Sequence, residues 1–387
     1  MTSLGTDGVD GRRLRRELIE RAMSVVSVPR VEPADSFVLH APMNLMARIG
    51  LLDIVPSEAV AGAEAAIEST VKRYEASGPG VGQPPMLTIS SPAAASNRLA
   101  AAVRAGDLDD VDALTRWMTA RLSPVAIARL VGEFLIDSLA AAGHAPIGFH
   151  LLRRVRGGTL PPSLLRGTMR EVARNPDWRI RWFRSTNDLH EVVPLDQALA
   201  LLPHLGPPSS NFIFELMSQV ESDSVGRALL GPVLSETLDV ARVGRTLTRA
   251  AALCMLYGDP AHAPYGWTHA FTMPQGALAL ANVGVRPRTS VAVAVTFFAG
   301  FRIAYDADLT GSLADEAASD YLLADAPTHD EPALAAFAAT HHDEHLVKYT
   351  LACFHAAQDD PAWRLVYLRA AGHLADWWRA NPDAGFS

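Results

Sequence analysis

The chain has 387 residues, with 34 Lys plus Arg against 42 Asp plus Glu for a formal charge of −8, and 49% hydrophobic residues. That acidic balance argues against nucleic acid as the main partner, and the longest apolar run, residues 291–301, is far short of the ~20 residues needed to span a bilayer. Two cysteines, Cys254 and Cys353, cannot build a disulfide framework, and residues 1–16 are polar without an apolar leader, so the expectation is a cytoplasmic protein with neither signal peptide nor membrane anchor.

In chain order, residues 1–11 read as disordered and residues 12–25 as a helix with Leu14, Leu18, Ile19 and Ala22 on one side. Pro29 and Pro33 break the chain. Pro42 then suits the first turn of a helix running to about residue 52, which puts His40 just ahead of that turn. Ser57 reads as the cap of an Ala-rich helix to residue 76. The Gly/Pro loop at 78–85 lacks the preceding strand and following Lys-Ser/Thr of a phosphate-binding loop. Helical patterns follow at 92–105, 107–121 and 123–142, and another begins at Pro146. Residues 163–210 are mixed and Pro-rich. Helices resume at 211–230 and 233–257. The stretch from Trp267 leads into an apolar helix, residues 289–304 read as helix, and helices over 333–358 and 362–380 close the chain. The expectation is all-α: one large bundle-like helical domain over 12–387 with long Pro/Gly-rich loops and no Rossmann unit.

The densest chemistry lies at His341-His342-Asp343-Glu344-His345-Leu346-Val347-Lys348. On one continuous helix, His341, His345 and Lys348 share a face and Asp343 points the opposite way. Two imidazoles and an amine are costly to bury without a partner, and a metal would serve as one. Only two lysines occur in the whole chain, Lys72 and Lys348. Elsewhere the positive charge is Arg, which cannot lose its proton, whereas a buried Lys can become a neutral amine. His40, His144 and His269 each sit at a loop-to-helix junction, and with His345 they offer four imidazole nitrogens, a set suited to Fe, Zn, Cu or Ni. His150, His262 and His341 are the rivals for a ligand role. Phe149, Trp267 and Phe271 are candidates for an aromatic substrate wall, against the plainer reading that they fill the core. His355 and His373 read as helix-surface or supporting residues, and Asp109-Asp110 and Asp359-Asp360 as charges or caps at helix N-termini.

The run Asp35-Ser36-Phe37 to His40-Ala41-Pro42-Met43, the His144 and His269 junctions, and Asp343-Glu344-His345-Leu346-Val347-Lys348 with Ala352-Cys353 resemble the questin-oxidase-like family over roughly residues 35 to 375. The resemblance implies a mostly helical fold and oxidation or ring cleavage of an anthraquinone- or polyketide-type aromatic with O2. It further implies an Fe(II) ion held by His40, His144, His269 and His345, with Lys348 carboxylated to a CO2-derived carbamate as fifth ligand, leaving one octahedral position open. The chain is shorter than fungal members and departs from them at 163–210. Two other functions compete: a metal-free, NADPH-dependent Baeyer–Villiger-type monooxygenase, against which the missing dinucleotide fingerprint counts, and a helical ligand-binding protein whose histidines are structural.

Overall fold

Runs rich in Ala, Leu and Val, opened by Asp or Ser caps, produce helices. The computed structural model describes residues 7–155, 161–185, 194–210, 212–221, 223–230, 239–307, 309, 313–321 and 329–384, and no strand is found among them. The first half comprises α1 (Asp7–Val26), α2 (Ser36–Leu51), α3 (Val60–Ala76), α4 (Pro92–Ala105), α5 (Leu108–Thr119), α6 (Pro124–Leu135), α7 (Ala145–Arg154) and α8 (Arg166–Arg174). After the short α9 (Leu195–Ala200) and α10 (Ile213–Ser218) come α11 (Val240–Tyr257), α12 (Thr268–Ala281), α13 (Pro287–Ala304), α14 (Glu331–Thr340), α15 (Glu344–Asp359) and α16 (Arg364–Ala380).

Several expected boundaries move. Helix α1 starts at Asp7, so the disorder expected over 1–11 does not hold from residue 7 onward, and residues 1–6 lie outside the described set. Pro42 does not start α2. The Asp35 carboxylate accepts from the Val38 amide at 2.7 Å, which opens the helix at Ser36 and leaves Pro42 and His40 inside it. Ser57 lies in a short 3-10 turn and makes no cap bond. The helix expected to reach residue 142 stops at Leu135, and the one expected from 233 starts at Val240, capped by Asp239, with 231–238 outside the described residues.

The closing pattern at 333–358 is two helices, not one. The chain breaks at His341-His342-Asp343, and Asp343 starts α15 by accepting the His345 and Leu346 amides at 2.9 Å each. Arg48 of α2 is only 2% exposed. It donates to the carbonyls of Ala339 and of His341, the latter at 2.6 Å, and so satisfies the end of α14 that a continuing helix would have used. Asp343 is therefore a buried cap and does not point away from the other polar groups.

The bundle closes around α13, whose residues from Thr289 to Ala304 are all buried, as a helix apolar on every side must be. Helix α12 packs against α13 and also against α7, α11 and α15. One continuous cluster of buried apolar side chains runs from Ala22 to Trp378, and both cysteines are buried within it as free thiols. Close approach of α7 to α12 depends on Gly276: a Cβ there would lie 2.8 Å from the Ile147 backbone nitrogen. No helix among the described residues is long and apolar enough to cross a membrane.

Candidate metal centre

Four helices bring His40, His144, His269 and His345 to one buried point, each between 2% and 5% exposed. His40 Nε2 lies 2.9 Å from His144 Nε2, and His269 Nε2 lies 3.3 Å from the same atom. Ligand atoms of His40, His269 and His345 all fall within 4.8 Å of one another. A metal about 2.1 Å from each of two adjacent nitrogens holds them about 3 Å apart, the spacing seen here.

Each ring is oriented from behind through Nδ1. In α2 the Ser36 carbonyl, one turn back, accepts from His40 Nδ1 at 2.6 Å. In α12 the Tyr265 carbonyl accepts from His269 Nδ1 at 2.7 Å, made available by a π-helical turn at Ala263–Trp267 that precedes the helix. Such turns recur at functional sites because they re-aim one residue without ending the helix. His144 uses the Ala141 carbonyl at 3.0 Å. Its approach is unusual: Ala141 (φ 52), Ala142 (φ 48) and Gly143 (φ 70) are successively left-handed, at a cost of about 1–2 kcal/mol for each alanine. His345 Nδ1 faces Asp343 Oδ2 at 3.5 Å.

This arrangement fixes the tautomers. Carbonyl oxygens only accept, so Nδ1 of His40, His144 and His269 must carry the hydrogen and Nε2 must present a lone pair. The His144 lone pair then faces those of His40 at 2.9 Å and His269 at 3.3 Å without a proton between them, which is repulsive unless a cation sits among them. Protonation is no remedy. Burial, with the charge of Lys348 and the other imidazoles adding to it, pushes His40, His144 and His269 well below the ordinary histidine pKa. His345 Nε2 and Lys348 Nζ are both buried and have no hydrogen-bond partner among the described residues.

Lys348 is 3% exposed and stands one turn from His345 on the same face of α15. Burial lowers its ammonium to about 8, although Glu344 and Asp343 act the other way. Lys72, by contrast, is an exposed surface lysine paired with Glu68 at 3.2 Å. Burial alone would push the Asp343 carboxyl up, but its interactions with His345, the Leu346 amide and Lys348 hold it below the ordinary value. The donor set, four imidazoles and an amine without a hydrogen-bond partner among the described residues, with carboxylates behind, fits a metal ion.

The rival histidines are elsewhere. His150 pairs with His355 on ring centroids 5.5 Å apart, His262 stacks on Tyr305 at 3.9 Å, and His341 packs on Trp378 at 4.9 Å. His355 is 6% exposed, so it is no surface residue. Asp360 does occupy a helix start, the N-cap of the 3-10 turn Pro361–Trp363 that leads into α16, but its side chain makes no cap bond there and instead holds Arg249 in a bidentate pair with both contacts at 2.8 Å.

The expected aromatic wall is also elsewhere. Trp267 packs on Tyr305 and donates Nε1–H to the Asp259 carbonyl at 3.3 Å. Phe271 meets Tyr349 and Tyr367, and Phe149 lies among Leu99, Met118 and Leu165. The rings beside the imidazoles are Tyr265, 4.7 Å from His269, and Phe301, stacked on His269 at 5.8 Å. The sequence held one usable signal for Tyr265, its place four residues before His269; Phe301 was hidden in an unbroken apolar run. No protein-family model matches the chain, and no curated protein or solved structure shows detectable similarity to it.

Proposed function

We propose that the chain is a non-heme iron-dependent oxygenase that oxidises or cleaves a ring of a polycyclic aromatic substrate with O2. The observation that carries this reading is the convergence of four buried imidazoles, the His144 lone pair facing those of His40 and His269, on a buried amine with no hydrogen-bond partner among the described residues. Iron bound there would supply one-electron chemistry toward dioxygen and an electron-rich hydroxyaromatic.

The chain's own residues do the rest. Ser36, Ala141 and Tyr265 hold the rings in the metal-binding tautomer through their carbonyls. Lys348, as a neutral amine, would add carbon dioxide: its lone pair would form the N–C bond as one C=O π pair moves to oxygen, one N–H proton would leave, and the resulting carbamate would offer an anionic oxygen to an ion held by the imidazoles. Burial would keep bulk water from an ion held there, and it brings the Lys348 ammonium down to about 8, so the neutral amine is far more accessible than in an exposed lysine. Tyr265 and Phe301 line the His269 side with aromatic rings. Burial pushes the Tyr265 phenol up to about 12, so it stays protonated at neutral pH.

Iron analysis of untagged protein, paired with oxygen-electrode measurements on a hydroxyanthraquinone, tests the proposal. The expected result is about one iron per chain, and O2 uptake without NADPH or flavin. Undiminished turnover by metal-free protein in chelator would refute it. An absolute NADPH requirement, matched one to one with product, would favour the metal-free monooxygenase instead.

A further inference from the structure

A cavity lies farther along three of the helices that carry the imidazoles, α7, α12 and α15. It has a volume of about 310 Å³ and is walled by α7, α11, α12, α15 and α16. Six residues separate His144 from His150 on α7, and six separate His269 from Gln275 on α12, about 9 Å along each helix. Along α7, the tight backbone contact of Ile147 with Gly276 falls between His144 and His150.

The charges around this cavity do not cancel. Asp360 is taken by Arg249 and by the Tyr367 hydroxyl at 2.8 Å. Asp359 is taken by Arg154 at 3.0 Å. Arg153 reaches only the Ala279 carbonyl, at 3.1 Å, and has no carboxylate partner among the described residues. Arg245, exposed at the rim, is likewise without one. His150 also lines the cavity, is 8% exposed, and has a buried Nε2 without a hydrogen-bond partner among the described residues. Val240 and Leu278 add apolar surface.

A half-buried guanidinium without a counter-charge is costly, and a ligand anion relieves that cost. We propose that this cavity is a second ligand site, separate from the imidazole cluster, for an organic carboxylate. Arg153 and Arg245 receive the carboxylate, and the apolar body rests on Leu278 and Val240. The site needs neither metal nor turnover and stands independently of the oxygenase reading.

Titration calorimetry of the full chain with 2-naphthoate, with 2-naphthamide and inorganic phosphate as comparison probes, tests it. One naphthoate per chain is expected, with the neutral amide and phosphate both weaker. Arg153→Gln and Arg245→Gln should each weaken naphthoate about tenfold or more, the loss of one charged hydrogen bond. Arg245 is exposed, so its variant keeps the fold, and melting temperatures monitor both variants. His345→Ala should leave naphthoate binding unchanged. Absence of naphthoate binding at millimolar concentration overturns the proposal, as does binding indifferent to both Arg substitutions, binding lost with His345→Ala, or phosphate binding as tightly as naphthoate.

Discussion

Replacing Lys348 with Met should make the metal-free protein more stable and the metal-binding protein useless. Lys348 is 3% exposed and its Nζ has no hydrogen-bond partner among the described residues. Its ammonium falls from 10.5 to about 8, chiefly through burial. At about 1.4 kcal/mol per pH unit, that drop corresponds to about 3 kcal/mol of instability whenever the folded chain must carry the proton. Met fills nearly the same volume without a charge, so most of that cost disappears. The sign fixes the pH window. The unfolded chain keeps its lysine proton up to 10.5 and the folded chain releases it above about 8. Wild-type stability therefore rises with pH between those values, and the penalty is complete below 8. Urea melts of chelated protein in carbonate-free buffer at pH 7 and pH 9.5 read both effects. Lys348→Met should exceed wild type by up to about 3 kcal/mol at pH 7, by less at pH 9.5, and should hold no iron. A Met variant that is less stable than wild-type apoprotein, or that loads iron normally, would refute the account of Lys348.

Three further outcomes are expected. Asp343→Asn keeps a side-chain oxygen for capping α15 but removes the negative charge behind His345 Nδ1; metal affinity should fall about 10- to 100-fold with the helix content unchanged, read by competition with a chromophoric chelator and by circular dichroism. Apoprotein should lose stability as pH falls through 6.5, because the unfolded chain protonates His40, His144 and His269 there while burial holds them neutral in the fold; melting temperatures flat from pH 7 to pH 5 would contradict this. Arg48→Met should leave the carbonyls of Ala339 and His341 without their donor, costing about 1–3 kcal/mol in urea melts and lowering bound iron by displacing the start of α15.

The helical class and the four converging histidines were legible in the sequence, for different reasons. Helices α12 and α13 announce themselves by long apolar runs. The histidines stood out because imidazole recurred beside helix starts, and Lys348 because lysine is otherwise so scarce. What was hidden depends on distant partners. In residues 341–343, free of Gly and Pro, the one local signal of a break is Asp343, a residue type that caps helices; the carbonyls that close α14 find their donor in Arg48, nearly 300 positions earlier in the chain. Pro42 misled because proline at a first turn is common, while the Asp35 cap six residues upstream had already opened the helix. Phe149, Trp267 and Phe271 lie close in sequence to the histidines, yet on helices a neighbour by number faces another way, and all three went to the core.

The four imidazoles arrive on four separate helices, the first at residue 40 and the last at 345. During synthesis the complete set cannot exist until almost the whole chain has left the ribosome. Helix pairs adjacent in the chain, such as α4 with α5, bring none of the four rings. Under the proposed function, ion capture would therefore come late in maturation, and a bound ion would report that α2, α7, α12 and α15 have packed together.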